Sequence, residues 1–302
     1  MIIVTGASGA FGRLAAERLL ERVPEGRLIL TTRKPEQLAD LAARGAQVRH
    51  ADFDDPTSLR EAFAGGTRML LISTARVGTR VGQHINAIDA AVAAGVGHIV
   101  YTSILNAAHP DNPAIVKLDH RATEEHLERC GAAWTFLRDS WYAEAIAGAM
   151  APGALAMGRV PDNTGAGRTA VVSRQDCAAC AAEILLQSGH ENRAYDLTGR
   201  ELMTVTQMMT LAGEIAGKRI VVEPVDDAGM LAHFDSLGVP RRASDIVPQG
   251  PIPWSSDDMV TFSQSIREGF FDVSTDHVER ITGRKPRSLR DVMLEHRGQW
   301  PI

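Results

Sequence analysis

A chain of 302 residues, 44% hydrophobic and 23% charged, can bury one large core or one and a half domains and has the charge content of an ordinary globule. Its formal net charge of −5, with basic residues scattered rather than striped, argues against a nucleic-acid partner. No apolar run approaches the roughly 18 residues of a membrane span, the first residues read as a strand rather than a signal peptide, and Cys130, Cys177 and Cys180 are too few for a disulfide framework, so the expectation is a cytoplasmic protein without membrane contact.

The chain opens on an apolar run, Ile2-Ile3-Val4, that meets Thr5-Gly6-Ala7-Ser8-Gly9-Ala10-Phe11-Gly12 and then a helical pattern from Arg13 to Glu21. Strand, glycine turn and helix in that order suit a dinucleotide: Gly6 permits a tight turn, Gly9 lets backbone approach a pyrophosphate, and Gly12 lets helix and strand pack. Free N–H groups at the helix start, from Ala7 and Ser8 to Ala10 and Phe11, attract the phosphates. The second strand, Arg27 to Thr32, is followed directly by Arg33 and Lys34, with no acid at the strand end. A carboxylate there would bind a ribose 2′-hydroxyl, whereas a guanidinium grips a 2′-phosphate, so NADP(H) is the expected cofactor.

Strands at about 2–5, 27–32, 46–51, 68–73, 97–102 and 134–138 alternate with helices near 10–22, 35–43, 56–64, 80–94, 116–130 and 140–149. This alternation predicts an α/β fold, a Rossmann-type doubly wound parallel sheet, with residues 1–150 as the NADP(H)-binding domain. Ligands of such sheets lie beyond the strand carboxyl ends. There Asp52 and Phe53 could border the adenine, Ser73 and Thr74 the central ribose and pyrophosphate, with Thr102 and Ser103 next along. Beyond residue 150 the alternation loosens into a turn-rich stretch (Pro152, Gly153, Gly158, Pro161), a helix at about 174–187, strands at about 194–198 and 220–224, helices near 204–216 and 226–238, a proline-rich loop at 240–258 and terminal helices near 258–268, 274–282 and 288–296. Residues 151–302 therefore read as a smaller α+β substrate lobe, whose strands could return to the main sheet. Cys177-Ala178-Ala179-Cys180 has a redox-like spacing but lies in an Ala-rich helical pattern with no second ligand pair, so no metal is expected.

With these glycines, Arg33, Tyr101-Thr102-Ser103 and Ala133-Trp134-Thr135-Phe136-Leu137-Arg138 followed by Trp141-Tyr142, the chain resembles the NmrA-like group of atypical short-chain dehydrogenases, in particular its bacterial quinone reductase and triphenylmethane reductase types. Gly189-His190-Glu191-Asn192 and Ala216-Gly217-Lys218 extend the likeness, which covers roughly residues 1–240. It implies hydride transfer from NADPH to a quinone or related planar aromatic, with a homodimer as one assembly open to it. The Tyr-Lys couple of short-chain dehydrogenases is missing, since Leu105 follows Tyr101 by four residues and Ile146 follows Tyr142. The family position of a phenylpropanoid-reductase lysine falls on His120, with Lys117 one turn earlier, so Tyr101, Lys117 and His120 are the candidate catalytic groups, His120 being able to share a proton near neutral pH. Trp141 and Tyr142 are candidates either to stack on a flat substrate or to pack between the two lobes. The same missing couple also suits a redox sensor that binds NAD(P) without turnover; a nucleotide-sugar epimerase, which would need the intact pair, ranks last.

Overall fold

The computed structural model describes residues 1–245, 252 and 254–302. Its first half runs β1 (Ile2–Val4), α1 (Ala10–Leu20), β2 (Leu28–Thr32), a 3-10 turn (Pro35–Leu38) leading into α2 (Ala39–Ala43), β3 (Gln47–His50), α3 (Pro56–Phe63), β4 (Arg68–Leu71), α4 (Val81–Ala93), β5 (His98–Ile104), α5 (Val116–Leu127) and β6 (Ala133–Asp139). These are the strands and helices that the apolar periodicity predicts. Next come α6 (Ala143–Ala145), a π turn (Ile146–Met150) and α7 (Ala151–Met157), then β7 (Arg159–Asp162), α8 (Arg174–Leu186), β8 (Arg193–Leu197), α9 (Val205–Ala216) and β9 (Val221–Pro224). The chain ends through α10 (Asp227–Ser236), α11 (Ser256–Arg267), α12 (His277–Thr282) and α13 (Leu289–His296).

Seven strands pair in the order β3-β2-β1-β4-β5-β6-β8, and every pairing is parallel. Buried on both faces, such strands send alternate residues to opposite layers. Val4, Leu28, Leu30, Leu70, Val100 and Leu137 pack with Phe11, Leu19 and Leu38 and with Cys177 and Ile184 of α8. Ile3, Ile29, Met69, Leu71, Tyr101 and Phe136 pack on the other side with Leu59, Phe63, Ile88 and Leu127. The strand order reverses between β1 and β4, and at such a switch point the carboxyl ends leave a crevice.

The two halves share the sheet. β8 is its seventh strand, so a strand of the second half does return to the main sheet, and α8 belongs to the α1 layer. The remaining smaller lobe has its own apolar centre, where Ile146, Leu155, Met208, Val292 and Trp300 meet, and a satellite of Leu105, Phe262, Ile266 and Phe271.

Two departures from the sequence expectation have local causes. Pro152 and Gly153 do not start a loop, because Pro152 falls in the first turn of α7, where its missing N–H costs nothing, and the helix runs on to a left-handed cap at Gly158 (φ 70°). Arg159–Asp162 forms a strand unforeseen because it contains Pro161; it pairs with β9 alone in a two-stranded sheet, where an unpaired edge tolerates proline. Part of the proline-rich loop, residues 246–251 and 253, lies outside the described residues. Among the described residues no helix is long and apolar enough to cross a membrane.

One buried ion pair locks α5 to the sheet. Glu124, fully buried, takes both Arg138 Nε (2.9 Å) and Nη2 (2.8 Å) and the Ser103 hydroxyl (2.7 Å). Breaking one partner of a buried pair leaves an uncompensated charge, so Glu124→Leu is expected to cost about 3–5 kcal/mol in urea unfolding. Arg129→Ala, at an exposed pair with Glu125 at 4.0 Å, should stay within about 0.5 kcal/mol of the parent.

Candidate functional site

At the crevice the backbone of the first turn is held in a shape only glycines allow. Gly6 has φ 57°, its carbonyl accepts the Gly9 N–H at 2.9 Å, and Gly9 in turn accepts the Arg13 N–H at 2.9 Å. A Cβ on Gly12 would collide with the Gly6 carbonyl oxygen and lie 2.8 Å from Ala7 Cα, so the helix can approach the turn only through glycine. α1 has Gly9 as N-cap, with no side-chain cap and no acid in its first turn. The first-turn N–H groups thus have no side-chain acceptor and form an anion site. Ser8 Oγ and Thr32 Oγ1, 2.7 Å apart, tie the turn to the end of β2.

The turn forms one wall of a cleft of about 380 Å³, whose floor and other walls are the ends of β2 (Thr31 to Arg33), β3 (Ala51 to Phe53) and β4 (Ile72 to Arg76). Two arginines line it, Arg33 and Arg76, and two others, Arg13 on α1 and Arg80 at the start of α4, stand on neighbouring elements; their partners differ. Arg13 is gripped by both oxygens of Asp40 (2.8 and 3.0 Å), which holds that carboxyl below the usual range. Buried Arg80 pairs with Asp119 at 3.1 Å. Arg33 is exposed and Arg76 half-buried, and neither has a carboxylate within ion-pair distance among the described residues; none of residues 246–251 and 253 is acidic. An uncapped helix mouth, a turn that excludes side chains and an unneutralised arginine at the end of β2 fit a dinucleotide carrying a 2′-phosphate.

Of the residues the sequence nominates, Gly6, Ser8, Gly9, Arg33, Asp52, Phe53, Ser73 and Thr74 line this cleft. Ala7 is buried, with its N–H on the Thr31 carbonyl (3.0 Å), and Phe11 points into the core; Ala10 and Gly12 belong to the helix mouth and its close packing. Thr102 stands behind the wall, its Oγ1 accepting the Ser73 N–H at 2.9 Å. Ser103 is a correction: its hydroxyl is committed to Glu124 inside the fold.

The wall after β4 is clamped from below. Thr74 N–H donates to His84 Nε2 (3.1 Å), the Thr74 carbonyl accepts Arg80 Nη1 (2.7 Å), and the Thr74 hydroxyl donates to Gln83 (2.9 Å). Since Nε2 accepts, the His84 proton is on Nδ1, which donates to Thr123 Oγ1 at 2.9 Å and leans toward the Tyr101 oxygen at 3.5 Å. Tyr101 then donates to His120 Nδ1 at 2.9 Å. Burial, with Arg80 nearby, pushes His84 down to about 3, and burial first, then Arg80 and His84, holds His120 well below its ordinary value. His120 is therefore neutral, which corrects the expectation that it titrates freely near pH 7. Lys117 is corrected as well: its ammonium donates to the carbonyls of His109 and Pro110, both at 2.7 Å, and so anchors a loop.

The aromatic pair after β6 is divided between two packing roles. Trp141 meets Phe262 edge-on (5.6 Å between ring centres) in the smaller lobe. Tyr142 donates to Asp139 Oδ2 at 2.5 Å, one face of its ring is covered by the Arg174 guanidinium at 4.9 Å, and it packs against the core. The Cys177 thiol, buried beside Asp139, is pushed up by burial and then by that carboxyl, and Cys180 is buried too; both fill core. No group of His, Cys, Asp or Glu among the described residues is arranged to hold a metal.

Arg76 and Gln83 also line the cleft and were missed from the sequence. The strand-end rule stopped at Thr74; carried two residues on, it would have reached Arg76. Nothing local in the sequence distinguishes Gln83, which reaches the wall only because α4 folds back over the β4 loop.

A doubly wound parallel sheet with a glycine turn and an anion-binding helix mouth at its switch point defines a nucleotide-binding protein of the Rossmann type. The chain belongs to the NAD(P)H-binding family whose model matches residues 6–188, and within it to the NmrA-like group. Quinone oxidoreductase 2 of Escherichia coli K12 is 36% identical over 270 residues, covering 88% of this chain and 93% of that protein. An NmrA-like family domain-containing oxidoreductase of Aspergillus flavus is 30% identical over 228 residues, 72% of each chain. Among solved structures, the E. coli NADPH-dependent quinone oxidoreductase complexed with NADPH superposes with a TM-score of 0.88 at 32% identity, over 98% of this chain and 99% of that one. The Citrobacter sp. triphenylmethane reductase complexed with NADP(H) gives 0.85 at 29% identity, over 98% and 100%.

Asp139 offers a pH test of the strand-end packing. Burial pushes its carboxyl up to about 7, against the pull of hydrogen bonds from Tyr142 and Cys177. The folded state holds a proton that the unfolded chain, with an aspartate value of about 3.9, has released, so this group's contribution to stability declines as pH rises from about 4 to about 7. Asp139→Asn keeps an acceptor for Tyr142 and removes the titration. Its melting temperature should fall less than the parent's between about pH 5 and pH 8, and parallel profiles would reject the assignment.

Proposed function

We propose that the chain is an NADPH-dependent oxidoreductase that transfers hydride to a quinone or related planar conjugated acceptor. The observation that carries this reading is the cleft itself, in which an uncapped helix mouth and an unneutralised Arg33 lie at adjacent strand ends. The E. coli and Citrobacter relatives, whose names state reduction of quinones and of triphenylmethane, supply the acceptor class. Residues 1–150 with α8 and β8 form the cofactor-binding part, and the rest of 151–302 forms the acceptor lobe. The acceptor is a small molecule.

Gly6, Gly9 and the first turn of α1 hold the diphosphate, and Arg33 the 2′-phosphate. Asp52 and Phe53 border the adenine, Ser73 and Thr74 the central ribose. When bound, the reduced nicotinamide supplies hydride from its C4 position. The protein's part is to fix that carbon against the acceptor and keep water out, and such positioning supplies most of a rate when the product is stable. Because Tyr101 donates to His120 Nδ1, the His120 proton resides on Nε2, where it is a neutral hydrogen-bond donor and a weak acid. This suits acceptors that need little protonation in the transition state: a quinone gains aromaticity on reduction and a cationic dye loses its charge. With Lys117 bound to loop carbonyls, its ammonium does not take the place of the lysine of the missing Tyr-Lys couple.

Loss of one charge-assisted interaction should separate the two cofactors. Arg33→Ala is expected to weaken NADPH about tenfold to a hundredfold in a fluorescence titration and to leave NADH unchanged, and equal losses would reject the 2′-phosphate assignment. A panel of benzoquinones, naphthoquinones, triarylmethane dyes and conjugated aldehydes should contain at least one acceptor that oxidises NADPH. Tight NADPH binding with no turnover across the panel would replace the reductase by the redox sensor.

A further inference from the structure

Arg76 is a cation with no counter-charge in the wall of the cofactor cleft. It follows β4 by five residues, lines the cleft, and has its Nε buried with no hydrogen-bond partner. A guanidinium left this way in a cleft is completed by an anionic ligand. The loop that carries it is not free to swing: Ile72 N–H is held by Thr5 Oγ1 (3.0 Å), Ser73 N–H by Thr102 Oγ1 (2.9 Å), and Thr74 by His84, Arg80 and Gln83. Arg76 is therefore presented to the cleft from a fixed base.

The strand order says which anion it meets. β1 lies between β2 and β4, and the mouth of α1 follows β1, so an anion at that mouth is flanked by Arg33 from the β2 side and Arg76 from the β4 side. A 2′-phosphate at the end of β2 is on the far side of the glycine turn from Arg76. We propose that Arg76 is a second ligand for the diphosphate, closing on it from the β4 wall while the helix mouth holds it from the glycine turn. A dinucleotide diphosphate carries two non-bridging oxygens on each phosphorus, so two N–H donors of one guanidinium can bind oxygens that the helix-mouth amides leave free. The proposal rests on the NADPH reading above and adds a division of labour: Arg33 discriminates between the two dinucleotides, while Arg76 binds both alike.

The test measures binding of NADPH, NADH and adenosine 2′-monophosphate, which lacks the diphosphate, to the full chain and to Arg76→Ala, Arg76→Gln and Arg76→Lys, with thermal unfolding as a check of folding. Arg76→Ala and Arg76→Gln should weaken NADPH and NADH by the same factor, about tenfold, with Arg76→Lys recovering part and adenosine 2′-monophosphate unchanged. A loss confined to NADPH would move Arg76 to the 2′-phosphate, and an equal loss for adenosine 2′-monophosphate would move it to the adenine; either overturns the proposal, as does no loss at all. A parent chain that binds no dinucleotide would remove the cofactor reading itself, a result distinct from failure of the Arg76 variants.

Discussion

The contact between Gly12 and the Gly6-Ala7 backbone is the constraint on which the site depends. With no room for a Cβ there, α1 starts directly over the end of β1 and its uncapped N–H groups face the switch point of the sheet. A helix end left without acceptors is costly unless water or a ligand completes it. Here the polar surroundings, with Ser8 hydrogen-bonded to Thr32 and the β4 loop hydrogen-bonded to its own supports, leave that completion to an anion.

Charge around the cleft is sorted by neutralisation. Arg13 and Arg80 each have a carboxylate partner and act as braces, Arg13 joining α1 to α2 and Arg80 joining the β4 loop to α5. Arg33 and Arg76 have none among the described residues. Four arginines that look alike in composition thus divide into two paired ones and two that line the cleft without a carboxylate partner, and the difference lies in where Asp40 and Asp119 fall.

The polar groups below the cleft are arranged for rigidity. His84, Tyr101, His120 and Thr123 satisfy one another in a dry layer between the sheet and α4 and α5, and a low dielectric makes such a network stiff when every member is paired. The same burial removes their capacity to titrate near neutral pH. In the proposed reaction this suits acceptors whose reduction is driven by aromaticity or charge neutralisation, with the protein supplying geometry.

The sequence by itself determined the parallel sheet and the glycine turn, because both are written in local spacing: period-two and period-3.6 apolar runs, and three glycines between a strand and a helix. Arg33 was legible for the same reason, following a strand at a known distance from those glycines. What only the tertiary structure decided were the partners brought from far along the chain. Ser103 lost its place at the cofactor to Glu124 on another element, Lys117 lost its catalytic reading to carbonyls of a folded loop, and Tyr142 was covered by Arg174. His120 became neutral through burial, and Arg76 became notable only because no carboxylate came near it. Side-chain pairing and desolvation depend on three-dimensional neighbours, and spacing along one chain does not encode them.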